Sequence, residues 1–175
     1  MNAVRLEPLG SHHAYAILAG QDDLLAREAF GALWTPEALA VFLARAERWR
    51  PGGPIQEFAA IGPDGDGGAV SRGVMVGGGG IHRLGPGLER HQADISYWLL
   101  PAHRGRGLGH ALAADLVQRA HALDGVREAI LRIDPANLAS QAVARRLGAL
   151  PAGLTEPHSA GGGHRAQRWV LEAGD

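Results

Sequence analysis

Apolar and polar positions alternate over residues 2–7 in the manner of a short strand. From about residue 11 to 50 the apolar spacing becomes helical, with a break near Trp34-Thr35-Pro36. Thr35 as N-cap with Pro36 at the first helical position predicts a helix start there. Ile55 to Ile61 reads as a strand, and the Gly-rich run at 62–68 predicts a turn into another strand at about 73–82. Inside that second strand stand four consecutive glycines, Gly77 to Gly80, a costly choice that predicts either a bulge or close approach by another group. After a polar turn near Gly85-Pro86-Gly87 the alternation resumes over 92–100. It puts Asp94, Ser96 and Trp98 on one face and Ile95, Tyr97 and Leu99 on the other.

Leu108, Leu112, Leu116 and Ala120 recur at helical spacing and predict an amphipathic helix reaching about Leu123. Val126 to Ile133 reads as the next strand. A second helix follows, with Ala139, Ala142, Val143 and Leu147 on one side and Gly148 as its stop. Leu150 to Leu171 reads as two strands around the loop at 159–163. A strand-helix-strand unit at 92–133 requires a parallel pair inside an otherwise largely antiparallel sheet, so the expected fold is mixed α/β.

The chain of 175 residues, 46% of them hydrophobic, is the size of one domain, expected to span 1–175. A formal net charge of -1 offers no global attraction to nucleic acid, so no nucleic-acid partner is expected. Cysteine is absent, which excludes disulfides, thiolate metal sites and a cysteine nucleophile. All 17 basic residues are arginine, which excludes a phosphate-loop lysine, a Schiff base and a catalytic lysine. No apolar run approaches the roughly 18 residues of a membrane span, and the N-terminus lacks a signal-peptide pattern. A cytoplasmic protein with no membrane partner is expected.

Candidate chemistry concentrates in Arg104-Gly105-Arg106-Gly107-Leu108-Gly109, which follows a strand and opens a helix. Unpaired first-turn N–H groups, the helix dipole and two arginines together suit a diphosphate. A dinucleotide fingerprint would need a small residue at His110 or Leu112, and a nucleoside triphosphate loop would need a lysine. The nine histidines show no metal-binding spacing, His12 and His13 being adjacent and His103 and His110 seven apart, and no metal is expected.

The run from Ile95 to Gly109, with Arg104, Gly107 and Gly109 in register, resembles the coenzyme A motif of the GCN5-related N-acetyltransferase (GNAT) superfamily. With Asn137-Leu138-Ala139-Ser140 and Leu147-Gly148 it is similar to the RimJ/RimL-like branch, which acetylates protein N-termini or small amines. The resemblance implies an acyl-CoA N-acyltransferase fold. That is a single mixed, mostly antiparallel sheet of six to seven strands with a splayed parallel pair and flanking helices.

It also implies that acetyl-CoA lies between the splayed strands, held by the backbone near Leu99 and Leu100 and by Arg104, Gly105, Arg106, Gly107, Leu108 and Gly109. Asn137 would hold pantetheine or substrate. Arg146 would meet phosphate, or stand as a solvated helix-face arginine. Asp94, where the branch carries Glu, would accept the amine proton, or be a strand carboxylate paired with an arginine. Ser140 would give a proton to the leaving thiolate, although Asn is also a favoured N-cap and Ser common in a first turn. The family's tyrosine acid is replaced by Ala144 and an aromatic after Gly148 by Ala149. Phe30, Trp34 and Trp49 would shape an acceptor pocket or simply pack in the core.

The expected activity is acetyl transfer from acetyl-CoA to a primary amine, either a protein N-terminus or a small molecule, in a ternary complex. The alternatives are a non-catalytic acyl-CoA-binding regulatory module and a transferase using a longer donor such as succinyl-CoA. Exposed end strands leave room for a homodimer.

Overall fold

A computed structural model describes residues 4–63, 73–157 and 165–174. The turn predicted at 62–68 falls largely outside these residues, and the loop at 159–163 wholly so.

Seven strands form one sheet: β1 (Arg5–Pro8), β2 (Ile55–Gly62), β3 (Val74–His82), β4 (Gln92–Leu99), β5 (Glu128–Ile133), β6 (Leu150–Pro157) and β7 (Arg165–Glu172), in the order β1-β2-β3-β4-β5-β7-β6. Every neighbouring pair is antiparallel except β4 and β5. That parallel ladder is short: Gln92, Ala93 and Asp94 pair with Glu128, Ala129 and Ile130, and the pairing ends there. Beyond Asp94 the two strands diverge. β4 continues along β3 as far as Leu99, and β5 continues along β7.

The helices are α1 (Ala14–Gly20), a short turn α2 (Asp23–Leu25) that runs on as a π-helical turn (Ala26–Phe30), α3 (Pro36–Ala46), α4 (Leu108–His121) and α5 (Leu138–Leu147). Thr35 caps α3 as the sequence predicts, its hydroxyl accepting from Ala38 N–H at 3.2 Å. Leu112, Ala113, Leu116 and Ala120 of α4 are fully buried on one face of the sheet, against Phe58, Val76, Ile81, Ile95 and Leu131. Burying each leucine contributes roughly 1.5–3 kcal/mol. On the other face, Ile17 of α1 with Leu39 and Leu43 of α3 cover Ala59 and Met75. Gln21 ties the two ends of the intervening segment together, accepting from Trp34 N–H at 2.7 Å and donating to its carbonyl at 3.0 Å.

The four glycines of β3 answer to close approach. A Cβ on Gly78 would lie 2.6 Å from the Trp98 indole, one on Gly80 would lie 2.7 Å from both Glu57 Oε2 and His82 Nε2, and one on Gly79 would strike Leu116 of α4 and the Ser96 carbonyl. A register shift does occur, next to the run: Ala60 faces Gly77 while Ile61 faces Met75, leaving Val76 as the extra residue.

Most of the apolar side predicted for α5 faces a cleft and not the core. Ala144 is its buried residue, while Ala139 and Ala142 are exposed and, with Val143, line a cleft. Small apolar residues serve a cleft wall as well as a core, and periodicity does not separate the two.

Candidate active site

The divergence of β4 and β5 opens a cleft of about 620 Å³. β4 contributes Asp94 to Leu99, β5 contributes Leu131 to Ile133, and α5 contributes Asn137, Ser140 and Val143. Leu24, Leu25 and Ala29 close it from the α2 side.

Gly105 and Gly107 have φ of 73° and 75°, the left-handed region that an L side chain rarely adopts. Nothing lies within 4 Å of a Cβ built on either, so glycine is required at both for the backbone turn rather than for room. Gly107 is the N-cap of α4, and the first N–H to bond back is that of Ala111, to the Gly107 carbonyl at 3.4 Å. Among the described residues the main-chain N–H groups of residues 105–110 have no acceptor in the protein. Successive free N–H groups at the start of a 14-residue helix form an anion cradle.

Leu100 N–H bonds to the Val76 carbonyl on the β3 side at 2.9 Å, so by strand alternation Leu99 N–H faces the cleft. The Leu100 side chain is buried, as is Leu108, and neither lines the cleft. Arg106 is exposed and also stands outside the lining.

Arg104 has a protein partner. Its guanidinium forms a bidentate pair with Asp22 at 2.8 and 3.0 Å, and its Nε donates to the Leu99 carbonyl at 3.3 Å. The Arg104 hydrogen bonds hold the Asp22 carboxyl below its ordinary range, against the opposing effect of burial. Asp22 also caps α2 by accepting from Leu25 N–H at 2.8 Å. Arg104, which lines the cleft, thus also braces α2, β4 and the cradle together.

Asn137 is the N-cap of α5, its Oδ1 accepting from Ser140 N–H at 2.9 Å. Ser140 and Arg146 both line the cleft, as does His110, while His103 does not. Phe30, Trp34 and Trp49 pack elsewhere: Trp34 stacks on Phe42 at 5.2 Å, Phe30 meets Trp98 edge-on at 5.2 Å, and Trp49 meets Phe58 at 5.2 Å. Of these aromatics only Trp98 reaches the cleft wall.

Asp94 lies on the cleft floor with Arg132 of β5 beside it, Nε to Oδ1 3.5 Å. Across β3, His82 is its cross-strand partner. His82 Nε2 in turn is 2.7 Å from Glu57 Oε1 on β2. Sequence reasoning missed Asp22, Glu57, His82 and Arg132. The one usable signal for the Glu57–His82 pair was Gly80, whose missing side chain is the space in which they meet.

The adjacent histidines also meet a carboxylate: ligating atoms of Glu7, His12 and His13 lie within 4.8 Å of one another, away from the cleft. His13 Nδ1 is 3.1 Å from the Gly10 N–H that can donate to it, and Nε2 is 3.0 Å from Glu7. In that tautomer the Nε2 proton goes to Glu7, so the cluster serves as a cap on the turn before α1.

No curated protein matches the chain by sequence. Among solved structures it is similar in fold to RimL, a ribosomal alpha-N-protein acetyltransferase in complex with coenzyme A (TM-score 0.77, 16% identity, covering 98% of this chain and 95% of that one). Mycobacterium smegmatis RimJ with a coenzyme A disulfide gives a TM-score of 0.76 at 18% identity, covering 97% and 82%. Vibrio cholerae spermidine N-acetyltransferase with coenzyme A and spermine gives 0.75 at 12% identity, covering 98% and 96%. The acetyltransferase (GNAT) domain family model matches residues 3–150, and the chain, with its splayed parallel pair and its cradle at the start of α4, belongs to that family.

Proposed function

We propose that the chain, as one domain over 1–175, transfers acetyl from acetyl-CoA directly to a primary amine, in the cytoplasm. The observation that carries this reading is the run of acceptor-free N–H groups at 105–110 beside two strands that separate after Asp94. The cradle suits a pyrophosphate, and the exposed β4 edge offers the hydrogen bonds that an extended pantetheine takes as an added strand would. When bound, the co-substrate supplies an activated thioester. Leu99 N–H, turned into the gap, is placed to polarise its carbonyl.

Asp94 takes the proton lost by the attacking amine, directly or through a water, and Ser140 returns one to the departing thiolate. Asn137, its Oδ1 committed to the α5 cap, retains an amide NH₂ for pantetheine or acceptor. Arg146 offers its charge to the phosphates from the cleft rim.

Acceptors in the similar structures include protein N-termini and spermidine. We favour an α-amino group or another amine of lowered pKa, because an α-ammonium at about 7.7–8.0 gives up its proton far more readily than a lysine at about 10.4. The ion pair of Asp94 with Arg132 also leaves this floor without the excess negative charge that would select a polycation.

The experiment is thiol release from acetyl-CoA and succinyl-CoA against N-terminal peptides and polyamines, beside calorimetric binding of coenzyme A. Turnover on a peptide α-amine is expected. The same ion pair favours a second reading, a non-catalytic acyl-CoA sensor, in which the Asp94 carboxylate is purely structural. Tight binding with no turnover on any acceptor would establish that reading in place of ours.

A further inference from the structure

Glu57, His82, Asp94 and Arg132 come from four adjacent strands and share the sheet face opposite α4. Glu57 is on the face of Ala59 and Ile61, His82 and Asp94 face each other across β3 and β4, and Arg132 follows on β5. Directly opposed residues hold their Cβ atoms about 4.5–5.5 Å apart. Glu57 and His82 are not directly opposed: Glu57 faces Gly80, and His82 faces Ile55. Their 2.7 Å contact runs diagonally over Gly80, where any Cβ would collide with both groups.

We propose that His82, backed by Glu57, receives the acceptor's proton from Asp94 and so acts as the proton store of the transfer; this rests on Asp94 being the group that meets the amine.

The chemistry of the three groups fits that order. A carboxylate only accepts, so neutral His82 carries its proton on Nε2 toward Glu57, which leaves the lone pair on Nδ1. The amine N–H bond breaks with its electron pair staying on nitrogen, and an O–H bond forms on Asp94. That O–H then breaks as Nδ1–H forms, leaving Asp94 ionised again and His82 an imidazolium paired with Glu57. In sum, an ammonium and an imidazole become an amine and an imidazolium.

Moving a proton from an α-ammonium to an ordinary carboxylate is unfavourable by about four pKa units, roughly 10⁴-fold, whereas an imidazole is nearly matched to it. His82 is matched better than most. Burial disfavours its charge, but the Glu57 hydrogen bond and the charges of Glu57 and Asp94 more than offset this, and its pKa stands above 6.5. The charged groups acting on the ring are Glu57 from β2 and Asp94 from β4, with Arg132 of β5 beyond Asp94. Because His82 acts through Asp94, it is a positioning residue for the proton.

The test compares kcat against pH for the full-length protein and for Glu57→Gln, His82→Gln and Asp94→Asn, with coenzyme A affinity confirming that each variant is folded. Losing Glu57's charge lowers the His82 pKa, so the acid limb of kcat in Glu57→Gln is expected to move to lower pH. The amine's own ionisation gives no such shift. His82→Gln is expected to lose tenfold or more in kcat, on the order of general-base contributions, with KM for acetyl-CoA unchanged. If Asp94→Asn is inactive while Glu57→Gln and His82→Gln keep the wild-type rate and pH profile, the relay is wrong and Asp94 stands as the base alone. If Asp94→Asn is fully active, the reading of Asp94 itself fails, and the relay with it.

Discussion

Asp22 shows how a residue with no motif around it can hold a glycine-rich loop in place. Its carboxylate receives both arms of the Arg104 guanidinium while capping α2, and Arg104 reaches back to the Leu99 carbonyl at the end of β4. Planar two-point pairing of this kind fixes orientation as well as distance, which a lysine does not reproduce. Asp22→Asn is therefore expected to weaken coenzyme A binding by roughly three- to tenfold through a loosened cradle, measurable by calorimetry. The pH dependence has a definite sign. The Asp22 pKa is lowered in the folded state, chiefly by Arg104, so the stability it confers is present above its ordinary value of 3.8 and disappears as pH falls through the folded value. The wild type should exceed Asp22→Asn in urea midpoint at neutral pH, and the gap should close in acid. A gap of the same size at every pH would mean that the carboxylate charge is not what braces the loop.

At the scale of elements, the loop and α4 divide the labour among three glycines that the sequence presents as equivalent. Gly105 and Gly107 are in left-handed backbone with open space around them, whereas a Cβ on Gly109 would only touch Leu99 at 3.6 Å and Tyr97 and Val143 at 4.0 Å. Gly107→Ala is expected to cost about 1 kcal/mol of stability, because an L residue must be forced into that region, and to weaken coenzyme A binding by misdirecting the N–H groups. Gly109→Ala should leave stability within about 0.5 kcal/mol while placing a methyl in the cleft. Urea unfolding separates the two variants: equal destabilisation would contradict the division.

The loop and α4 were legible because turn chemistry and a leucine repeat at helical spacing are local signals. The brace from Asp22 and the Glu57–His82 pair were not, since each joins residues 82 and 25 positions apart whose meeting depends on strand order. The four glycines of β3 lay between these cases. Their cost announced a close neighbour, but Trp98, Leu116 and Glu57 were identifiable only once β2, β4 and α4 had been placed around them.

For the molecule as a whole, the decisive feature is that a sheet otherwise paired along its strands comes apart at one place. The order of elements required a parallel pair at 92–133, and the structure forms it over three residue pairs before β4 and β5 diverge. Because the β4–β5 ladder ends at Asp94, Leu99 N–H faces the gap and not a neighbouring strand, and a backbone donor in a protein interior costs stability unless something pairs with it. A ligand that pairs with this edge and reaches the cradle joins the half of the sheet carrying β1 to β4 to the half carrying β5 to β7, and so binds the folded state alone. Linkage then fixes the response: at about one hundred times its dissociation constant, coenzyme A should add roughly 2.7 kcal/mol, which for a chain of this size raises the melting temperature by about 5–10 °C.

The nucleotide part alone, such as adenosine 3′,5′-bisphosphate, reaches no strand edge, so its dissociation constant should be larger and it should stabilise less than coenzyme A at the same concentration. Asp94→Asn, which touches neither cradle nor edge, should show the full coenzyme A shift even where it abolishes turnover. Equal shifts for the whole cofactor and its nucleotide fragment at equal concentration would mean that the strand edge adds no affinity and that the ligand flanks the cleft without bridging it.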